Sequence, residues 1–114
     1  MKKQGFDRGH RLRSARDFQR VYREGRAFQD RYFRIFYREA AGLPRLGLVA
    51  VRQLGGAVAR NRVKRIIREA FRSNQGLFAG WEVIVQLRPA AMALSNEELR
   101  AQFLRVGTQL ARPG

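Results

Sequence analysis

Read from Ser14 onward, the apolar positions first recur at helical spacing. Phe18, Val21 and Tyr22 share one side of a segment that opens on Ser14, has Asp17 at capping-box spacing and meets Gly25 as a stop. This pattern predicts a first helix over residues 15–24. From Tyr32 to Arg38 the period drops to two, with Phe33, Ile35 and Tyr37 on one face and Tyr32, Arg34, Phe36 and Arg38 on the other. The second face of that strand interleaves arginine with aromatics. Residues 26–28 form a further short candidate strand. Gly42 and Pro44 break the chain, and the apolar run from Leu46 to Val51 suits a strand buried on both faces.

A turn over Arg52 to Gly56 leads back to helical period. Within residues 59–72, Val63, Ile66, Ile67, Ala70 and Phe71 fall on one stripe, while Asn61, Arg65, Arg68 and Arg72 fall opposite, with Lys64 beside them. Glu82 to Arg88 reads as another strand, ended by Pro89. Ser95 and Glu98 repeat the capping-box spacing, Leu94 and Leu99 are placed as a hydrophobic staple, and Leu99, Phe103, Val106 and Leu110 supply the stripe of a last helix. The order is helix, strands, helix, strand, helix, an α+β arrangement of one sheet against helices. At 114 residues, without repeat or linker, the chain is expected to form a single domain. Residues 1–13 are expected to be a flexible basic arm, folded only near Leu12.

Charge narrows the choice of partner. The formal net charge is +15, from 24 Lys and Arg against 9 Asp and Glu, and 21 of the 24 are Arg. A domain this basic is suited to a polyanion, and the planar arginine fork matches phosphate and stacks on bases. Six of the fourteen residues from Ala59 to Arg72 are basic, with Glu69 the lone acid among them. Like charges at that density destabilise an isolated helix, so a bound polyanion explains the segment better than a solvated face does. Phe18 and Tyr22 sit one turn apart, and Phe36 lies between Arg34 and Arg38. For Phe18 and Tyr22 the periodicity is equally that of core packing or of stacking platforms in a positive groove for single-stranded RNA, whereas the arginine neighbours of Phe36 favour the second.

Candidate chemistry is sparse. There is no Cys, which excludes disulfides, thiolate metal sites and a Cys nucleophile. The one His, His10, lies in the basic arm; Asp17 and Glu98 are accounted for by capping, and Glu24, Glu69 and Glu97 by pairing with nearby arginines. No pair of carboxylates stands apart for acid–base work, and the glycines make no phosphate loop. No catalytic or metal-binding residue is assigned. No apolar run has signal-peptide or membrane-span length, so a cytoplasmic protein with no membrane partner is expected.

Residues 47–72, GLVAVRQLGGAVARNRVKRIIREAFR, closely resemble the signature of the bacterial ribonuclease P protein component, with its Arg-Asn-Arg helix at Arg60, Asn61 and Arg62, followed by Lys64, Arg65 and Arg68. Residues 11–25, RLRSARDFQRVYREG, resemble the first helix of the same family. The resemblance implies a two-layer domain with a four-stranded, mainly antiparallel sheet and three helices in the order αβββαβα. It also implies a left-handed βαβ crossover, of the kind found in the second domain of a small-subunit ribosomal protein. It further implies the protein subunit of an endonuclease that removes the 5′ leader of precursor tRNA, with the chemistry supplied by a catalytic RNA subunit and Mg²⁺. By position, Arg60, Asn61, Arg62, Lys64, Arg65, Arg68 and Arg72 would face the RNA subunit and the cleavage site. Phe18, Tyr22, Arg34, Phe36 and Arg52 would form a cleft for the single-stranded leader. Gln53 stands where the family usually has a second lysine, which leaves its phosphate contact in doubt. A ribosomal protein, a self-sufficient nuclease and a nonspecific DNA-binding protein are the competing readings.

Overall fold

The computed structural model describes residues 11–111. Helix α1 runs Ala15–Glu24, strand β1 Arg26–Gln29, β2 Phe33–Glu39 and β3 Arg45–Val49. They are followed by α2 Ala57–Ser73, β4 Trp81–Leu87 and α3 Asn96–Ala111, with short 3-10 turns before α2, β4 and α3. The four strands form one mixed sheet in the order β1-β2-β4-β3. Only the β3–β4 pair is parallel, and α2 is the connection between those two strands.

Alternation along the strands assigns two cores. Phe33 and Ile35 of β2, Leu46 of β3, and Val83, Val85 and Leu87 of β4 point to the face covered by α2 and α3. There they meet Val63, Ile66, Ile67, Ala70 and Phe71 of α2 and Leu99, Phe103, Val106 and Leu110 of α3, all buried. The stripes expected from helical period are therefore the ones that pack. Phe71, Phe78 and Phe103 run through the middle with centroids 5.1 Å apart at each step, the first pair tilted and the second stacked. Phe28, Tyr37 and Trp81 meet edge to face at the β1 end of the sheet.

The opposite sheet face is only partly covered, by α1. Its buried residues are Leu12, Val21 and Ile84, with Phe18, Phe36 and Val49 packed around them. Three buried aliphatics at roughly 1.5–3 kcal/mol each make this a small anchor beside the main core. Leu12 is 3% exposed and its amide donates to the Leu46 carbonyl at 3.0 Å. Arg11 and Leu12 are thus attached to β3; residues 1–10 of the expected basic arm lie outside the described residues.

Element ends mostly follow local chemistry. Both halves of the second capping box form: the Ser95 amide donates to Glu98 Oε1 at 2.9 Å and the Glu98 amide to Ser95 Oγ at 3.1 Å. In the first, the Asp17 amide donates to Ser14 Oγ at 3.1 Å, but the Asp17 carboxylate is drawn away to Arg45 at 2.8 Å. Capping therefore accounts for only part of Asp17. Gly25 does not adopt a left-handed cap, since its φ is −92°. It is small because the chain turns tightly there, and a Cβ would stand 2.4 Å from the Tyr37 carbonyl oxygen. The strand expected to reach Val51 ends at Val49; Val51 has left the sheet and is half exposed.

Candidate nucleic-acid interface

The face of the sheet beneath α1 is organised in three cross-strand rows. Register pairs Arg38 with Glu82 and Glu82 with Arg45, giving an ionic row. The next same-face positions are Phe36, Ile84 and Gly47, an apolar row. Beyond them come Arg34, Gln86 and Val49. Helix α1 lies across these strands, as its contacts show. Asp17 reaches Arg45 and Phe18 meets Gly47 on β3, whereas Tyr22 meets Phe36 and Glu24 reaches Arg38 on β2. At 100° per residue, Val21 sits centrally, with Asp17 and Glu24 on one flank and Phe18 and Tyr22 on the other.

The aromatic flank makes a continuous cluster. Phe18 and Tyr22 have centroids 6.4 Å apart, and Tyr22 meets the Phe36 ring edge to face at 4.8 Å. The Arg34 guanidinium lies 5.5 Å from the Phe36 centroid, within cation–π range. Tyr22 is 39% exposed, and its hydroxyl accepts a hydrogen bond from Gln86 Nε2 at 3.1 Å. Packing and presentation therefore coexist here: the rings brace one another and still leave edge and face to solvent. Gly47 belongs to this arrangement, because a Cβ there would come within 2.6 Å of Phe18 Cζ.

From Arg34 and Gln86 a shallow depression continues past Val51 and Gln53 to Arg88. Gln53, not Arg52, lines it. Arg52 is exposed in the adjoining 3-10 turn, outside the residues that form the depression. Gln86 and Arg88 had no role in the sequence reading; the only signal for Gln86 was its place on the alternate face of a strand otherwise read as core.

Helix α2 presents the second surface. Val63, Ile66, Ile67, Ala70 and Phe71 hold it to the sheet, and the opposite arc is basic. Asn61, Arg62, Arg65, Arg68 and Arg72 line a common depression with Val58 and Glu69. Asn61, Arg65 and Arg72 are exposed, and Arg65 has only a long 3.8 Å contact to Glu69. Arg62 and Arg60 differ from them. Arg62 donates to Asn96 Oδ1 at 2.5 Å and to the Leu94 carbonyl at 3.3 Å, tying α2 to the start of α3. Arg60 donates through Nε to the Gly55 carbonyl at 3.0 Å, closing the turn before the helix. Lys64 is half-buried; burial first, then the charges of Arg68, Arg60 and Arg11, lower its pKa below the ordinary 10.5. Such a crowd of cations is electrostatically incomplete without anions.

Three acidic groups, Glu82, Glu24 and Asp17, are committed elsewhere. Glu82, 4% exposed, accepts from Arg38 at 3.1 Å and Arg45 at 3.3 Å. Glu24 accepts from Arg38 at 2.8 Å, so its partner is across the sheet rather than along its own helix. Burial pushes the Asp17 carboxyl up, but the charge and hydrogen bond of Arg45 more than reverse this and hold it below the usual 3.8. Among the described residues no group of three or more His, Cys, Asp or Glu is placed to hold a metal ion. No helix among them is long and apolar enough to cross a membrane. His10 lies outside the described residues.

Comparison with known proteins places this geometry. Residues 6–111 match the family model described as Ribonuclease P. The ribonuclease P protein component of Thermotoga maritima is 38% identical over 109 residues, covering 94% of this chain and 91% of that protein. The one from Pseudomonas aeruginosa is 39% identical over 110 residues, covering 94% and 82%. Among solved structures, the Staphylococcus aureus RNase P protein superposes with a TM-score of 0.81 at 28% identity, covering 92% of this chain and 97% of that one. The Thermotoga maritima protein superposes at 0.79 and 32%, covering 92% and 99%. With sequence and fold agreeing over nearly the whole chain, the protein belongs to the ribonuclease P protein component family.

Proposed function

We propose that this subunit of ribonuclease P uses its two surfaces for two RNA tasks. Its family role is tRNA 5′-end maturation together with an RNA subunit that carries the chemistry. In this reading the basic arc of α2, Asn61, Arg65, Arg68 and Arg72 with Arg60, Arg62 and Lys64 on its flanks, docks on the catalytic RNA near the cleavage site. The cleft of Phe18, Tyr22, Arg34 and Phe36 grips the single-stranded 5′ leader of precursor tRNA. Gln53 and Gln86 extend that cleft, and Arg52 adds charge at its margin. The protein then acts by differential binding: it holds a segment that mature tRNA lacks, and so favours substrate over product. The work is cytoplasmic and involves no membrane.

Mg²⁺ belongs with the RNA in this reading. The described acids do not suit the ion on this chain, because no three of them gather to hold a metal ion, and Asp17, Glu24 and Glu82 are each committed to arginines. What the chain supplies is charge neutralisation of crowded phosphates, which lowers the Mg²⁺ concentration the RNA needs.

The observation that carries the proposal is the ring cluster with Arg34 against Phe36, a stacking platform beside a cation, partly open to solvent. Phe18→Ala in the reconstituted holoenzyme tests it. Precursor tRNA should bind more weakly by roughly 1–3 kcal/mol, the usual value of one base stacked on an aromatic. Mature tRNA binding should be unchanged; equal losses for both RNAs would remove the cleft from the proposal.

A further inference from the structure

The acidic flank of α1 touches neither proposed RNA surface, yet it is tied at both ends. Asp17 meets Arg45 at 2.8 Å and Glu24 meets Arg38 at 2.8 Å. The two arginines converge on one carboxylate, Glu82, at 3.3 and 3.1 Å. Glu82 is buried in the middle of the ionic row, and it is the one charged side chain in the buried class among the described residues. Its place on β4 puts it between the strands that carry Arg38 and Arg45.

The geometry of α1 gives this arrangement a consequence. Asp17 and Glu24 lie two turns apart on one flank, Phe18 and Tyr22 lie on the other, and Val21 is seated between them on Ile84. Val21 is the one buried side chain of α1, so the roll of the helix is set by what holds its two flanks. The ion pairs of Asp17 and Glu24 fasten one flank at both ends, opposite the packing of Phe18 on Gly47 and Tyr22 on Phe36.

We infer that Glu82 is a positioning residue for the aromatic cleft: by holding Arg38 and Arg45 as paired posts for Asp17 and Glu24, it sets the roll of α1 at which Phe18 and Tyr22 meet Phe36. Its effect on catalysis rests on the reading of this cleft as the leader site, whereas its effect on α1 does not. Simple charge counting predicts the opposite outcome for RNA. Removing one carboxylate from a chain of formal charge +15 makes it more cationic and should tighten binding.

The test uses holoenzyme reconstituted with a bacterial ribonuclease P RNA and wild-type, Glu82→Gln, Phe18→Ala or doubly substituted protein. For Glu82→Gln, KM for precursor tRNA should rise roughly tenfold, as expected from a small misplacement of binding groups, with kcat at saturating precursor unchanged. Amide hydrogen exchange should quicken in residues 15–24 and stay as in the wild type in residues 57–73. The double variant should bind precursor no more weakly than Phe18→Ala alone, because both changes act through one platform. Unaltered exchange in residues 15–24, tighter precursor binding or fully additive losses would overturn the inference. If Phe18→Ala leaves precursor KM untouched, the leader reading fails, and exchange in α1 alone decides the role of Glu82. Should Glu82→Gln fail to fold, Asp17→Asn with Glu24→Gln releases the same flank of α1 from Arg45 and Arg38 and is read in the same way.

Discussion

Gly47 is where a single methyl group would reach the proposed leader site. A Cβ there meets Phe18 Cζ at 2.6 Å and Leu12 Cβ at 3.4 Å, so Gly47→Ala has to push the ring aside. Overpacking of this kind costs about 1–3 kcal/mol. The expected result is a lower urea midpoint together with a loss of precursor affinity, read by denaturation and by binding to the holoenzyme. Retention of both would show that Phe18 is not wedged against the sheet. Asp17 gives a pH-dependent counterpart. Its pKa is depressed in the folded protein, so it adds stability above its unfolded pKa, and that stability disappears as pH falls through the folded value. The gap in urea midpoint between wild type and Asp17→Asn should therefore be constant near neutrality and narrow progressively as pH falls below the unfolded value. A gap that does not narrow on acidification would contradict the Arg45 pairing as its source. Neither effect was legible in the sequence: Asp17 read as a cap and Gly47 as part of an apolar run, because their partners arrive from other elements.

Elements divide by how local their causes are. Helix α3 was legible down to its capping box because Ser95, Glu98 and the Leu99–Leu110 stripe act within one segment. The core stripe of α2 was legible for the same reason. What periodicity could not supply was the pairing of strands distant in sequence, such as Arg38 with Glu82 and Arg45 with Glu82. Those pairings make Arg38 and Arg45 parts of the fold, and α2 shows a similar division among its arginines. Arg62 bonds the start of α3, while Arg65 makes only its 3.8 Å contact within the helix. Arg62→Ala should lower stability by about 1 kcal/mol and also weaken RNA binding. Arg65→Ala should weaken RNA binding while leaving the thermal midpoint within a degree or two, and equal midpoint losses would erase the distinction.

At the scale of the whole molecule, the charge is spent unevenly. Asp17, Glu24 and Glu82 pair with Arg20, Arg38 and Arg45 around α1, whereas the outer arc of α2 has only Glu69 among its arginines and stays strongly basic. Binding of the catalytic RNA should accordingly fall steeply with salt, and Arg65→Ala should flatten the log–log slope by about 0.7–0.9. Phe18→Ala should leave that slope unchanged, since a ring releases no counterions. The family was legible through residues 47–72 and 11–25. Periodicity alone left Phe18 and Tyr22 between core packing and binding, the family resemblance implied the cleft, and the fold sets Phe36 and Gln86 beside them. The central claim is that the chain acts on precursor tRNA only through its RNA partner. Its most direct test is precursor cleavage at low Mg²⁺ with protein alone, with a bacterial ribonuclease P RNA alone, and with both. Efficient cleavage at the mature 5′ end by the mixture only is the predicted result; cleavage by the protein alone, or no gain on adding it to the RNA, would contradict the account.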